Sequence, residues 1–214
     1  MTSAPPAVEI PNLGNLPSVI DTQRLRIRPF TLADLDDIWP HASNPEVAKR
    51  MAWAAHRDKA ETVEWIAGRI DAWTKGTDRV WAIEHEGHAC GTIALTQITF
   101  AMRAWRVDRA ELGYWIGQPF WGQGLMTEAA TAVTRWGFET LELHKITIGT
   151  IEGNEASKRI IEKLGYRLLC KQEDDAWRDG RWWNHLRFEM LASEWRLGAE
   201  DAARTLRFSR PRLP

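Results

Sequence analysis

The residues Trp121-Gly122-Gln123-Gly124-Leu125-Met126-Thr127 carry the clearest chemical capacity in this chain. Glycines at alternate positions admit backbone torsions, and a closeness of approach, that a side chain would block. Apolar periodicity resumes at Leu125, so a helix opening there would present unpaired N–H groups and the positive end of its dipole. A phosphate or pyrophosphate suits that arrangement without a lysine. The segment is neither a glycine-rich loop ending in Gly-Lys-Ser/Thr nor the Gly-x-Gly-x-x-Gly turn that follows the first strand of a dinucleotide fold. Taken in isolation, it is also an ordinary tight turn.

Three further side chains could act on protons or on a polar ligand. Glu111 opens the otherwise apolar run Ala110-Glu111-Leu112-Gly113-Tyr114-Trp115, which leads toward the glycine turn. It is either a strand-edge carboxylate facing water or a group able to orient an amine or accept its proton. Asn154 precedes an apolar-periodic helix and could cap it. Ser157, three residues later, falls in that helix's first turn. Cys90 and Cys170 lie in strand-like segments with no CxxC spacing and no neighbouring base, so they read as structural thiols rather than nucleophiles or zinc ligands.

These groups need elements to position them. Residues 1–20 hold Pro5, Pro6, Pro11, Gly14 and Pro17 and read as an irregular arm on the body or on a partner. Arg24 to Arg28 alternates as a strand, and Thr31 with Asp34 offers a capping pair for a short helix that Pro40 helps close. Asp58 and Glu61 start a second helix, whose inward stripe is Val63, Ile66, Ile70 and Trp73. Val80–Glu84 and Gly91–Phe100 read as strands. Arg103–Arg109 reads as a solvated connection, and Ala110–Ile116 as the next strand. A helix over about 125–139, a short strand at 145–149 and a helix over 155–164 ending at Gly165 come next. Two strands, 166–171 and 183–191, would flank a polar stretch carrying the turn Asp179-Gly180. This order implies a mixed α/β sheet of about seven strands covered by helices, not a doubly wound fold. The body is expected over 21–193, with 194–214 as a solvated tail containing Arg204, Arg207, Arg210 and Arg212.

The composition narrows the function classes. At 214 residues one core suffices, and a formal charge of -1 gives no basic surface for nucleic acid. No long apolar span or leader is evident, so the expectation is a cytoplasmic protein without membrane attachment. Thirteen Trp against two Tyr is unusual and suggests a core, a pocket or an interface rich in indoles.

GYWIGQPFWGQGLMTEA, followed by GTIEGNEASKRIIEKLGY, resembles the GNAT N-acetyltransferase superfamily, and within it the RimJ/RimL-like branch of ribosomal-protein N-terminal acetyltransferases. The resemblance runs from about Thr22 through Leu191. It implies a GNAT acyl-CoA N-acyltransferase fold with acetyl-CoA as cosubstrate and no metal. Its pyrophosphate would be wrapped by the backbone of Trp121, Gly122, Gln123, Gly124, Leu125, Met126 and Thr127, although relatives commonly carry Gly or Ala at the Met126 position. The strands at 110–116 and 145–149 would splay to admit the pantetheine arm. Backbone donors near Trp115, Ile116 and Gly117 would hold the thioester or its developing oxyanion. Asn154 would contact pantetheine, and Ser157 would protonate the departing sulfur. The tyrosine that many relatives use for that step is replaced by Ile161.

Glu111 remains the base candidate. A free Glu titrates at about 4.3 and an α-amine near 8, so a water relay, coupled transfer or a raised Glu pKa would be required. The acceptor is an amine. A protein or peptide N-terminus fits the RimJ/RimL-like branch, while amino acids, polyamines and antibiotics are the small-molecule alternatives. A noncatalytic acyl-CoA-binding module is the alternative from another class. Trp39, His41, Trp53 and His56 mark the expected acceptor side. Trp183, His185 and Arg187 share one strand face that could form a binding rim or a homodimer interface.

Overall fold

A computed structural model describes residues 13–198. One eight-stranded sheet runs through it in the order β1-β2-β3-β4-β5-β6-β8-β7. The strands are β1 (Ile20–Asp21), β2 (Leu25–Pro29), β3 (Arg79–His85), β4 (His88–Met102), β5 (Trp105–Ile116), β6 (Lys145–Ile151), β7 (Arg167–Arg178) and β8 (Arg181–Leu191). All neighbours pair antiparallel except β5 and β6, which are parallel. Helices α1 (Leu35–Ala42), α2 (Pro45–Ala48) and α3 (Lys59–Lys75) pack on one face, α4 (Leu125–Glu139) and α5 (Glu155–Lys163) on the other.

The centre of the sheet is buried on both faces, which explains why β3 reads as a continuous apolar run. Val80 and Ala82 join Phe30, Ile38 and Ile66 on the α1–α3 side. Trp81 and Ile83 join Ala129, Ala130 and Val133 on the α4 side. Asp58 caps α3 by accepting from the Glu61 N–H at 3.0 Å, and Gly76 ends it at φ 70°. Thr31 and Asp34 form the expected capping box.

Several boundaries differ from the sequence expectation. Residues 103–106 are solvated as expected, but 103–109 is no mere connection: β5 begins at Trp105, and its first residues pair with the end of β4 in a two-stranded ribbon. Such a two-stranded ribbon needs no apolar face, so hydrophobic patterning does not reveal it. For the same reason β7 continues through the polar stretch to Arg178. The Asp179-Gly180 turn follows with φ of 53° and 76°, the left-handed pair of a two-residue hairpin. Pro40 lies inside α1 instead of closing it. On α3, Val63 is exposed and Thr62 buried, because the Thr62 hydroxyl meets His56 Nδ1 at 2.9 Å.

The described part of the arm lies on the body. Pro17 and Ser18 carbonyls accept from the indoles of Trp136 and Trp81 at 3.2 and 2.9 Å. The start of the expected tail is helical through residue 198, and Trp195 stacks on Phe138. The tail arginines lie outside the described residues.

Candidate active site

β5 and β6 pair only from Arg109–Leu112 against Lys145–Ile148, then separate. Gly113 to Ile116 keep their pairing with β4, while the β6 side of this edge stays open. The Gly117 N–H donates to the Cys90 carbonyl at 2.8 Å. Bonded pairs alternate along an antiparallel ladder, so Trp115 and Gly117 point their peptide groups at β4, and Tyr114 and Ile116 point theirs into the split. The expectation of donors at Trp115 and Gly117 is therefore corrected: only Ile116 of the three faces the opening, joined by Tyr114. Gly117 serves a different need, since a Cβ there would lie 2.5 Å from His41 Nδ1. The Ile116 carbonyl accepts from the Trp121 indole at 2.9 Å, which leaves its N–H available.

A cavity of about 630 Å³ leads from this split along the α4–α5 side. At its outer end Gly122 and Gly124 adopt φ of 75° and 78°, and Gly124 caps α4 in the left-handed conformation. Among the described residues, no acceptor serves the N–H groups of Leu125, Met126 and Thr127. Met126 turns its side chain into the core, so this departure from the family pattern leaves the main chain of the turn exposed. The fold thus presents a nest of peptide donors fitted to a diphosphate.

Arg24, which sequence reading passed over, braces the turn. It donates to the Gln123 carbonyl at 2.9 Å and pairs with Glu128 at 2.7 Å. Glu128 also accepts from the Thr22 hydroxyl at 2.6 Å. Burial raises the Glu128 pKa, but these bonds outweigh it and hold the carboxyl below the usual range. Arg24 offsets a negative charge that would otherwise oppose an anion at this helix end. Arg159 and Lys163, one turn apart on α5, add positive charge to the cavity wall.

Asn154 is buried and caps α5, its Oδ1 accepting from the Ser157 N–H at 3.4 Å. Capping engages the oxygen and leaves the Nδ2 donors for a ligand, so the two roles are compatible. Ser157 Oγ lies 3.2 Å from the Tyr114 hydroxyl, and this pair bridges α5 and β5 beside the split. Burial pushes Tyr114 up to about 12, against the opposing Ser157 hydrogen bond. Tyr114 escaped sequence reading because it precedes the helix on which the family's usual tyrosine sits.

A second cavity, of about 880 Å³, shares Tyr114, Trp115, Asn154 and Ser157 with the first. Trp53, Trp65 and Trp115 form one wall, with ring centroids 5.5 Å apart for Trp53–Trp115 and 6.1 Å for Trp65–Trp115. Arg178, near the tip of the β7–β8 hairpin, donates to the Met51 and Trp53 carbonyls and closes the cavity over this wall. His56 lies between Trp53 and Trp65, and burial lowers its pKa.

Glu111 faces this second cavity, but it is not presented as a free base. Oε1 accepts from Arg187 at 2.8 Å and Oε2 from the Gln97 amide at 3.1 Å. Cys90 is buried, and desolvation pushes its thiol up to about 12, which fits a structural thiol. No metal-competent cluster of His, Cys, Asp or Glu occurs among the described residues. No described helix is long and apolar enough to cross a membrane.

A GNAT acetyltransferase domain model matches residues 24–167, and the chain belongs to that family. The uncharacterized N-acetyltransferase p20 of Bacillus licheniformis is 27% identical over 176 residues, 81% of this chain and 96% of that protein. The [Ribosomal protein uS5]-alanine N-acetyltransferase of Escherichia coli is 33% identical over 87 residues, 41% of this chain and 45% of that protein. The chain spans only 45% to 58% of the length of several curated relatives it matches. The structure of the ribosomal-protein-S5-alanine acetyltransferase from Vibrio fischeri superposes with a TM-score of 0.72 at 17% identity, covering 83% of this chain and 98% of that one; at this identity the likeness concerns the fold. Residues 24–167 thus form an acetyltransferase domain of that family.

Proposed function

We propose that this enzyme acetylates the free amino end of a protein or peptide, with a small-molecule amine as the alternative acceptor. The observation that carries the reading is the pair of cavities meeting at Tyr114, Trp115, Asn154 and Ser157 where the sheet opens. The diphosphate binds the nest at 121–127, and Arg159 and Lys163 attract the remaining phosphate. Pantetheine runs along the open edge of β5 past Asn154. The thioester reaches the junction, and the amine approaches from the indole-walled side. Similarity to the uS5-alanine enzyme supports an N-terminal acceptor and the RimJ/RimL-like branch.

The chemistry is direct transfer. The amine lone pair forms the N–C bond, the Ile116 N–H steadies the oxyanion, and the C–S bond breaks with its pair on sulfur. The Ser157–Tyr114 pair supplies the proton to sulfur. Glu111 acts as a strut for Arg187, not as the base. Acetyl-CoA incubated with separate pools of N-terminal peptides, amino acids and polyamines, read by mass spectrometry, tests the acceptor. Acetylated peptide termini support the proposal, and modification confined to small amines replaces it with the alternative.

A further inference from the structure

With Glu111 held by Arg187 and Gln97, the acceptor amine still needs a group to take its proton. We infer that His185, oriented by Asp175, is that base. His185 lines the acceptor-side cavity, and its Nδ1 lies 3.0 Å from Asp175 Oδ2. The carboxylate fixes the tautomer with the proton on Nδ1, which leaves the Nε2 lone pair bare. No partner for Nε2 occurs among the described residues.

The backbone is shaped to make this pair. Between Gln172 and Ala176 the β7–β8 register shifts, inserting extra residues opposite the short run from His185 to Trp183. Asp174 takes φ 49° there, and its N–H donates to Asn184 Oδ1 at 3.0 Å. A bulge of this kind re-aims a side chain, and here it turns Asp175 onto His185. On the neighbouring strand, Gly149 opens the space above β6. A Cβ on Gly149 would stand 3.3 Å from His185 Nε2 and 2.9 Å from Arg187 Nη1. Nε2 therefore sits beside the residue where β6 parts from β5, on the side from which the amine arrives.

Other charges surround this position. Arg187 on β8 is held by Glu111 of β5. Arg178 and Asp179 stand at the hairpin end, and Lys49, Arg50 and Arg69 line the far side. Nε2 takes a proton from the ammonium and passes it to solvent. The freed lone pair then attacks the thioester carbonyl. After attack the nitrogen loses its second proton by the same route, sulfur leaves with its electron pair and gains one proton from the hydroxyl pair, and that pair is reprotonated by solvent. Nitrogen loses two protons, sulfur gains one, and one proton is released per acetylation.

This assignment rests on the acetyl-transfer reading above, and the test separates the two. Wild type, His185→Gln and Asp175→Asn are assayed with acetyl-CoA and three probes: an alanine-initiated peptide, spermidine and phenethylamine. General-base removal predicts a loss of about 100-fold in kcat/KM for His185→Gln. We expect a smaller loss for Asp175→Asn and, in both variants, a coenzyme A Kd within twofold of wild type. Retention of more than a third of the activity in His185→Gln overturns the assignment while leaving acetyl transfer intact. If wild type acetylates none of the probes yet binds coenzyme A, the acceptor reading fails instead. Nitrogen-15 spectra of the labelled imidazoles then decide independently: a bare Nε2 on His185 upholds the dyad, and a protonated Nε2 in the neutral ring overturns it.

Discussion

Replacing Gly122 or Gly124 by alanine would separate the cost of the turn from its use. Both residues hold positive φ, and neither would press a new Cβ into a neighbour: Gly122 has nothing within 4 Å, and Gly124 has only Arg24 Nη2 at 3.6 Å. The penalty is therefore torsional, roughly 1–2 kcal/mol for an L-residue in the left-handed region. For a 214-residue chain, a loss of that size lowers the Tm by about 2–4 °C per kcal/mol. If the free turn relaxes to relieve the strain, its peptide donors leave the nest, and coenzyme A must restore them on binding. The strain then appears in the affinity as a roughly 5- to 30-fold weaker Kd. Gly180, at the hairpin tip with φ 76° and open space around it, is the control, since its alanine carries the same torsional cost away from the coenzyme cavity. Calorimetric titration with coenzyme A reads all three variants. An unchanged Kd for both turn variants whose Tm is also spared, the mark of a relaxed turn, would refute the assignment of this turn to the diphosphate.

Further outcomes follow from the same geometry. Ser157→Ala should reduce kcat by at least about 10-fold with an unchanged coenzyme A Kd, and Tyr114→Phe should reduce it less, as expected for a positioned hydroxyl pair; unchanged turnover in both would remove the pair from the mechanism. Arg24→Ala should weaken coenzyme A binding by several-fold, because Glu128 is then left uncompensated at the helix end, and titration calorimetry checks it. Asp34 is buried and bonded to Arg28 at 2.6 and 3.0 Å. Desolvation pushes its pKa up, but Arg28 and Thr31 prevail and hold it below the ordinary carboxylate value. A carboxylate depressed on folding contributes stability above its unfolded pKa and loses it as pH falls through the folded value. Asp34→Asn should thus cost about 3 kcal/mol near neutrality and progressively less in acid, read from denaturant midpoints across pH. Under native conditions a thiol reagent should modify Cys170, which is exposed, and leave Cys90 untouched.

The parts of this enzyme legible from sequence are those where local chemistry and tertiary structure agree. The capping pairs at Thr31 and Asp58, the helix from Leu125 and the Asp179-Gly180 turn each declare themselves through residues whose roles are local. The turn at Gly122 and Gly124 was legible for the same reason, since alternating glycines before a helix carry their own torsional meaning. What escaped depends on partners far apart in the chain. Glu111 looked like a base because its strand position was readable, whereas Arg187, 76 residues away, was not readable as its partner. Trp115 and Gly117 seemed equivalent to Ile116 until the ladder with β4 fixed which peptide groups face the split. Tyr114 meets Ser157 only through packing of α5 beside β5, and Asp175 reaches His185 only through a bulge within a polar run.

A crystal structure with bound coenzyme A tests the central arrangement most directly. The diphosphate should accept hydrogen bonds from the main chain between Trp121 and Thr127, with pantetheine entering the opening between β5 and β6 beside Asn154. A diphosphate bound elsewhere, with the turn closed over its own N–H groups, would contradict the account.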